Sequence, residues 1–286
     1  MREPGSGTEP TREPAVAGQF YAGTAETLRE QIEDCITHEY GPGALDTGDG
    51  SDTPVALVSP HAGYQFSGPV AAHGFATIAE GDVDTAVVVG PNHEGVGAPV
   101  AVAPHDSWQT PLGPIPVDGD LAAQIVDASD VATFDDRAHA GEHSIEVQLP
   151  FLQYCLDDFA VVPICTTRSG RERSEQLGND IAATIGRSER NAIVVSSTDL
   201  THYQSHETAV KRDRPVVEAI ESLDVDGIER AVEEGHSMCG PWATIAGLVA
   251  ADALGAIEGD CLTYATSGEL GGQDSRVVGY CSVAIQ

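Results

Sequence analysis

Three short segments follow apolar, β-branched runs, and each delivers a histidine: Ser59-Pro-His61-Ala-Gly-Tyr64, Gly90-Pro-Asn-His93 and Ser197-Thr-Asp199-Leu-Thr-His202-Tyr203. Imidazole binds metals and moves protons near neutral pH. A lone histidine at such a place reads more readily as a hydrogen-bonded structural residue. Three at equivalent places, from ten in the chain, point toward one shared polar site, and spacing alone leaves the two readings balanced. Cys239 adds sulfur. It sits in Ser237-Met-Cys239-Gly-Pro241-Trp242, just ahead of an apolar helix. Pro241 suits the first helical position. A thiol at that place feels the positive end of the helix dipole, which favours the thiolate. The same thiol reads equally well as small, buried and inert. Two histidines and one thiolate suit Fe(II), Zn(II) or copper, with a coordination position left for water or substrate.

Gly141-Glu142-His143-Ser-Ile-Glu146-Val-Gln-Leu-Pro-Phe-Leu152 is a further segment with chemical content. As a helix it would set Glu142 and Glu146 one turn apart. It approaches the H-E-x-x-H zinc pattern but lacks the second histidine. An amphipathic helix with a solvated acidic face is the plain alternative. His143 is placed near the site, with Glu142 as a partner beside it. Trp108-Gln-Thr-Pro-Leu-Gly113 reads as a turn whose tryptophan either lines a pocket or packs inside.

These segments need elements to aim them. Val55–Val58, Ala86–Val89, Val161–Ile164 and Ile193–Ser196 are short and continuously apolar, as strands buried on both faces are. Helical segments separate them, near Ser67–Ala79, Gly119–Ala128, His143–Leu156 and Ser174–Gly186. A helix near Thr24–His38 precedes them, capped by Thr24. Helices at Arg214–Leu223, Val225–Glu234 and Pro241–Leu254 and strands at Leu262–Thr266 and Val277–Ala284 follow. The alternation predicts an α/β fold: a single domain over 14–286, a mixed, largely parallel sheet and helices on both faces. Ligands in such sheets bind beyond the carboxyl ends of the strands, where the histidines lie. Residues 1–13 read as a flexible tail with no apolar signal-peptide core. Tyr40–Thr53 reads as a variable loop.

Composition narrows the function classes. Fourteen Lys and Arg stand against 45 Asp and Glu, for a net charge of −31. Lys211 is the one lysine. So acidic a surface does not hold nucleic-acid phosphates or adhere to an anionic membrane. With 41% hydrophobic residues the chain has ample core, so disorder is excluded. The balance fits a cytoplasmic protein in a high-salt cytosol, where the Debye length falls to roughly 3 Å and carboxylates repel less. No run spans a bilayer: Ile245–Ile257 is short and contains Asp252. Six cysteines without a C-x-x-C pair argue against a disulfide framework. Five of them read as small buried hydrophobes.

Taken together, several long stretches in one order resemble the Memo-like family, also called AmmeMemoRadiSam system protein B, in a haloarchaeal-type member. They are Arg12-Glu-Pro-Ala-Val-Ala-Gly-Gln-Phe-Tyr21, Ser59–Gly68, Gly90–His93, Trp108–Gly113, Glu142–Leu152, Ser196–Tyr203 and Cys239-Gly240. Ala22 departs from the proline usual after Phe-Tyr. The resemblance implies a fold similar to the catalytic subunit of class III extradiol dioxygenases, which use non-haem Fe(II). It implies a metal site of His61, His93 and Cys239, with Asp199 and His202 lining the same pocket. The dioxygenases use a carboxylate where this chain has Cys239, so ring cleavage does not carry over, and a softer ion such as copper is accommodated. It also implies a functional link to an AMMECR-type protein and a radical-SAM protein.

The leading expectation is a metal-dependent oxidoreductase or redox protein with Fe(II), or else copper or zinc. His202 acts as general acid/base, oriented by Asp199 three residues away on one helical turn, with His143 beside it. A zinc- or thiol-dependent hydrolase using Cys239 is the second reading. A non-catalytic scaffold, whose pocket recognises a peptide or nucleotide, is the third.

Overall fold

Runs of Val, Ile and Ala without polar alternation bury both faces of a strand. The computed structural model describes residues 11–45, 53–79, 81–167, 170–235, 238–271 and 273–286, and such runs are its centre. In chain order the elements are α1 (Ala25–Thr37), β1 (Ala56–Ser59), α2 (Tyr64–Ala76), β2 (Thr85–Pro91), β3 (Val100–Val102), β4 (Ser107–Thr110), β5 (Gly113–Pro116) and α3 (Gly119–Ala128). Next come β6 (Thr133–Phe134), α4 (Leu149–Cys155), β7 (Ala160–Thr166), α5 (Arg171–Ile185), β8 (Ala192–Ser197) and β9 (His202–Gln204). The last are α6 (His206–Glu221), α7 (Val225–Glu233), α8 (Pro241–Ala253), β10 (Gly259–Thr266) and β11 (Val277–Ile285).

The main sheet runs β10-β11-β1-β8-β2-β7-β3-β6, with β9 against β11. Its centre, β1-β8-β2-β7, is parallel. β11 is antiparallel to β1 and β10, and β3 is antiparallel to β7. Successive residues of the central strands point to opposite faces. Val58, Val87 and Val89 enter a core closed by α3 and α5–α8. Leu57, Ala86 and Val88 enter the other, closed by α1, α2 and α4. This is the expected α/β architecture with a mixed, mostly parallel sheet and helices on both faces.

The positional consequence is direct. β8 lies between β1 and β2, parallel to both. The loops bearing His61, Asp199 and His93 therefore leave one edge side by side.

Several expectations are corrected. Residues 143–156 are not one helix: a 3-10 turn at Glu146–Gln148 leads into α4. Glu142 and Glu146 thus do not share a helical face. α6 starts at His206 rather than Arg214, because Ser205 caps it by accepting from the Thr208 amide, and it continues through Pro215. β3, β6 and β9 are additional strands of three, two and three residues. Trp108-Gln-Thr-Pro-Leu-Gly113 is the β4–β5 hairpin. Trp108 is buried there with the Arg12 guanidinium 4.4 Å from its ring centre, so it packs rather than lines a pocket. Arg12 is buried; the rest of the expected tail, residues 1–10, and residues 46–52 of the expected loop lie outside the described residues. All six cysteines are free, and Cys35, Cys155, Cys165 and Cys281 are buried. No helix among the described residues is long and apolar enough to cross a membrane.

Candidate metal centre

The turn after β1 sends the His61 side chain inward, where it is buried. Its amide donates to Asp199 Oδ1 at 2.7 Å. Its ring Nδ1 lies 2.7 Å from Ser197 Oγ. That hydroxyl already donates to the Ser144 carbonyl at 2.7 Å and accepts from Gln148 Nε2 at 2.8 Å. With its proton committed, Ser197 accepts from His61, which places the imidazole proton on Nδ1 and the lone pair on Nε2. Nε2 lies 3.1 Å from Cys239 Sγ.

His93, at the end of β2, is tied in the same sense. Its Nδ1 lies 2.9 Å from Glu142 Oε1, and its amide donates to Glu142 Oε2. Glu142 is buried and also accepts from the amides of His143 and Ser144, each at 2.8 Å. The carboxylate therefore binds the backbone of its own loop, which is why no helix forms at Glu142–Ser144.

Cys239 precedes α8 and reaches the carboxyl end of β8. Its amide donates to the Asp199 carbonyl at 3.1 Å, and the Asp199 amide donates to Sγ at 3.0 Å. Gly240 permits this approach, since a Cβ there would stand 2.4 Å from the Ser197 carbonyl oxygen. The ligand atoms of His61, His93 and Cys239 all lie within 4.8 Å of one another. Metal bonds of about 2.0–2.3 Å place neighbouring donors a little over 3 Å apart. The His61–Cys239 separation matches that spacing, and the donor set of two neutral imidazoles and one sulfur suits a borderline or soft ion. The residues fit a metal ion.

A third imidazole completes the cluster. His143 stacks on His93, with ring centres 4.6 Å apart and planes at 18°. It meets His61 edge-on at 5.5 Å, and Phe20 covers its other side at 4.7 Å. His93, Glu142 and His143 form a second group with ligand atoms within 4.8 Å. Four hydrogen bonds already occupy the Glu142 carboxylate, so it serves as an anchor for the two histidines.

The electrostatics follow from burial and neighbours. Burial holds the His61 pKa well below the usual imidazole value, and His93 and His143 push the same way. Burial also lowers His143 against the pull of Glu142. For His93 burial opposes the charged form, but the Glu142 carboxylate outweighs it and raises the pKa. Glu142 itself is driven far down: burial alone would raise it, and His93 and the loop amides overcome that. Asp199 is raised by burial, against the His61 amide and nearby histidines. The Cys239 residue is partly exposed but its thiol is enclosed. Burial and the Asp199 carboxylate push the thiol pKa up.

The structure thus gathers His61, His93, His143, Asp199 and Cys239. Asp199 and His202 are not joined by a helical turn. The chain leaves β8 in an extended loop, and Asp199 turns to the His61 amide instead. His202 Nδ1 donates to the Leu200 carbonyl at 2.7 Å, so the backbone orients it. β9 then bulges: His202 pairs with Val278 and Gln204 with Val277. The extra residue, Tyr203, takes φ of +58° and is exposed, a strained conformation for an aromatic residue.

Behind the site lies a layer that spacing did not reveal. Glu146 is buried and pairs with Arg12. It also accepts from the Ala15 and Val16 amides and from the Tyr21 hydroxyl, at 2.8, 3.0 and 2.6 Å. Arg12 donates to the carbonyls of His139 and Glu142 as well. Ser197, Gln148, Arg12 and Glu146 all stand in the stretches quoted above, but nothing in their types or spacing marks them as supports.

The sequence profile described as Memo-like protein matches residues 12–284. A MEMO1 family protein of Methanopyrus kandleri is 47% identical over 279 residues, covering 96% of this chain and 99% of that protein. One from Thermotoga neapolitana is 42% identical over 282 residues, covering 96% and 99%. One from Sulfolobus acidocaldarius is 39% identical over 279 residues, covering 95% and 98%.

Proposed function

The chain belongs to the Memo-like family, and from that premise we propose that it is a metal-binding protein of redox type. His61, His93 and Cys239 hold one ion, Fe(II) before copper or zinc. One observation carries this reading: both imidazoles are tied back through Nδ1, by Ser197 and by Glu142, beside the sulfur of Cys239. Metal-ligating histidines are held in this way, with the far nitrogen bonded to a carboxylate or other acceptor.

A bound iron or copper ion would supply one-electron chemistry at this place. The protein's own groups divide the remaining work. His202 presents its Nδ1 proton to Leu200, so proton transfer to and from a ligand takes place at Nε2. His143 offers a second imidazole, kept neutral by burial. Asp199 joins the His61 loop to the backbone of Cys239 and fixes the two ligands relative to one another. The proposed setting is a salt-rich cytosol.

Elemental analysis tests the reading. Protein produced with iron or copper supplied is expected to carry about one ion per chain and to lose it in His61→Ala and Cys239→Ala. Protein without metal under those conditions overturns it.

A further inference from the structure

Asp199 stands three residues before His202, but its carboxylate is engaged elsewhere: Oδ1 accepts from the His61 amide at 2.7 Å. A different carboxylate reaches the His202 ring, through one peptide group. His202 Nδ1 lies 2.7 Å from the Leu200 carbonyl oxygen. A carbonyl only accepts, so Nδ1 carries the proton. The N–H of that same peptide group belongs to Thr201, and it donates to Asp213 Oδ1 at 2.9 Å. Carboxylate, peptide and imidazole thus form one chain of hydrogen bonds.

The surroundings hold this chain in place. Asp213 lies on the buried face of α6, and its Oδ2 accepts from the Tyr264 hydroxyl at 2.8 Å. Both partners are donors, which suits the ionised form. Burial pushes the Asp213 pKa up, and Thr201, Tyr264 and His202 oppose it. β11 passes against the carboxylate because residue 279 is glycine: a Cβ there would stand 1.9 Å from Oδ2. β11 also clamps the peptide from both ends. The Leu200 amide donates to the Gly279 carbonyl, and the Gly279 amide donates to the Thr201 carbonyl, each at 2.9 Å. The peptide therefore cannot turn away from either partner. A peptide group is conjugated, so an anion drawing on its N–H raises the electron density on its oxygen. Linked hydrogen bonds polarise one another in this way, and a charged acceptor strengthens the effect.

We propose that Asp213 is the positioning residue for His202: it fixes the ring with its proton on Nδ1 and strengthens that hydrogen bond through the Leu200–Thr201 peptide. The inference rests on reading His202 as the proton-transferring group of the centre, and it supplies the carboxylate that Asp199 does not.

Proton and nitrogen NMR of the full chain carrying isotope-labelled histidine tests it, with Zn(II) supplied so that no paramagnetic ion broadens the signals. The His202 signal is identified by its loss in His202→Gln. It is expected to show a proton on Nδ1, shifted downfield by the bond to Leu200. Asp213→Asn keeps the shape and both contacts, with Oδ1 toward Thr201 and Nδ2 toward Tyr264, but removes the charge. It should move the Nδ1 proton upfield while the ring signal of His139, which is held by the Ala101 carbonyl, stays in place. Tyr264→Phe leaves the whole charge to Thr201 and should move the proton downfield. An unmoved Nδ1 proton in Asp213→Asn overturns the inference, as does a proton found only on Nε2 in the unaltered protein. An equal shift at His139 overturns it too, because it reports a general change of fold. If Asp213→Asn does not fold, Tyr264→Phe decides alone, and no downfield shift overturns the inference. The two readings fail separately. The expected His202 signals in a protein that carries no metal sink the metal assignment alone. Metal-loaded protein whose His202 proton ignores Asp213 sinks this inference alone.

Discussion

Glu142 grips His93 at two points, the backbone amide through Oε2 and the ring Nδ1 through Oε1 at 2.9 Å. Rotation of the imidazole about its side-chain bonds would break one contact while the other holds. The carboxylate thereby sets both the direction and the tautomer of a proposed ligand. Glu142→Gln keeps the size but can no longer accept from every donor around it. Metal affinity, measured by competition with a chelator, is expected to fall about 10–100-fold. Unchanged affinity would show that His93 needs no such support.

Arg12 and Glu146 are the second buried pair. Removing one partner leaves an uncompensated charge in a dry place. Arg12→Ala is expected to cost about 3–5 kcal/mol in urea unfolding. The loop over 139–142 that leads to His143 should loosen with it, because Arg12 also holds the carbonyls of His139 and Glu142.

His139 offers a pH test away from the proposed ligands. It is buried, with Nε2 donating to the Ala101 carbonyl at 3.1 Å. Burial, reinforced by His105, lowers its pKa to about 3. Below an ordinary imidazole value near 6.5 the unfolded chain takes up a proton that the folded chain refuses. This contribution is therefore whole above that pH and declines as pH falls toward 3. His139→Gln should flatten stability against pH between 6 and 4, by up to roughly 1.4 kcal/mol per pH unit. Parallel curves for the two proteins would contradict this.

The surplus of carboxylates predicts a salt response. Raising KCl from about 0.1 M to about 1 M shortens the Debye length from roughly 10 Å to 3 Å. The thermal midpoint is expected to rise over that range. A midpoint indifferent to salt would remove the case for a salt-rich habitat.

The parallel centre of the sheet was legible because buried parallel strands cannot alternate: Ala86–Val89 and Ile193–Ser196 announce themselves as unbroken apolar runs. The short edge strands were not. β9 has three residues, His202–Gln204, and pairs only because β11 passes beside it. Cys239 and the strand-end histidines were legible as chemistry, since imidazole and sulfur rarely converge without reason. Their supports were not. Ser197 becomes an acceptor for His61 only because Ser144 and Gln148, about 50 residues away, fill its other positions. Glu142 and Glu146 look alike in a helical projection. The loop separates them: one turns to His93, the other to Arg12.

His61 and Cys239 touch across 178 residues of chain. Loop closure over such a span is among the more demanding steps of folding, and its entropic cost grows with the logarithm of the span. During synthesis His61, β1 and β2 exist well before Cys239 does. The sulfur is made only after the residues of β8 and α7, and those of β10 and β11 follow it. No nascent fragment ending before residue 239 contains all three donors. The centre thus forms only when the two ends of a long span of chain meet, and its assembly time is a clock for that long-range docking event rather than for any local one.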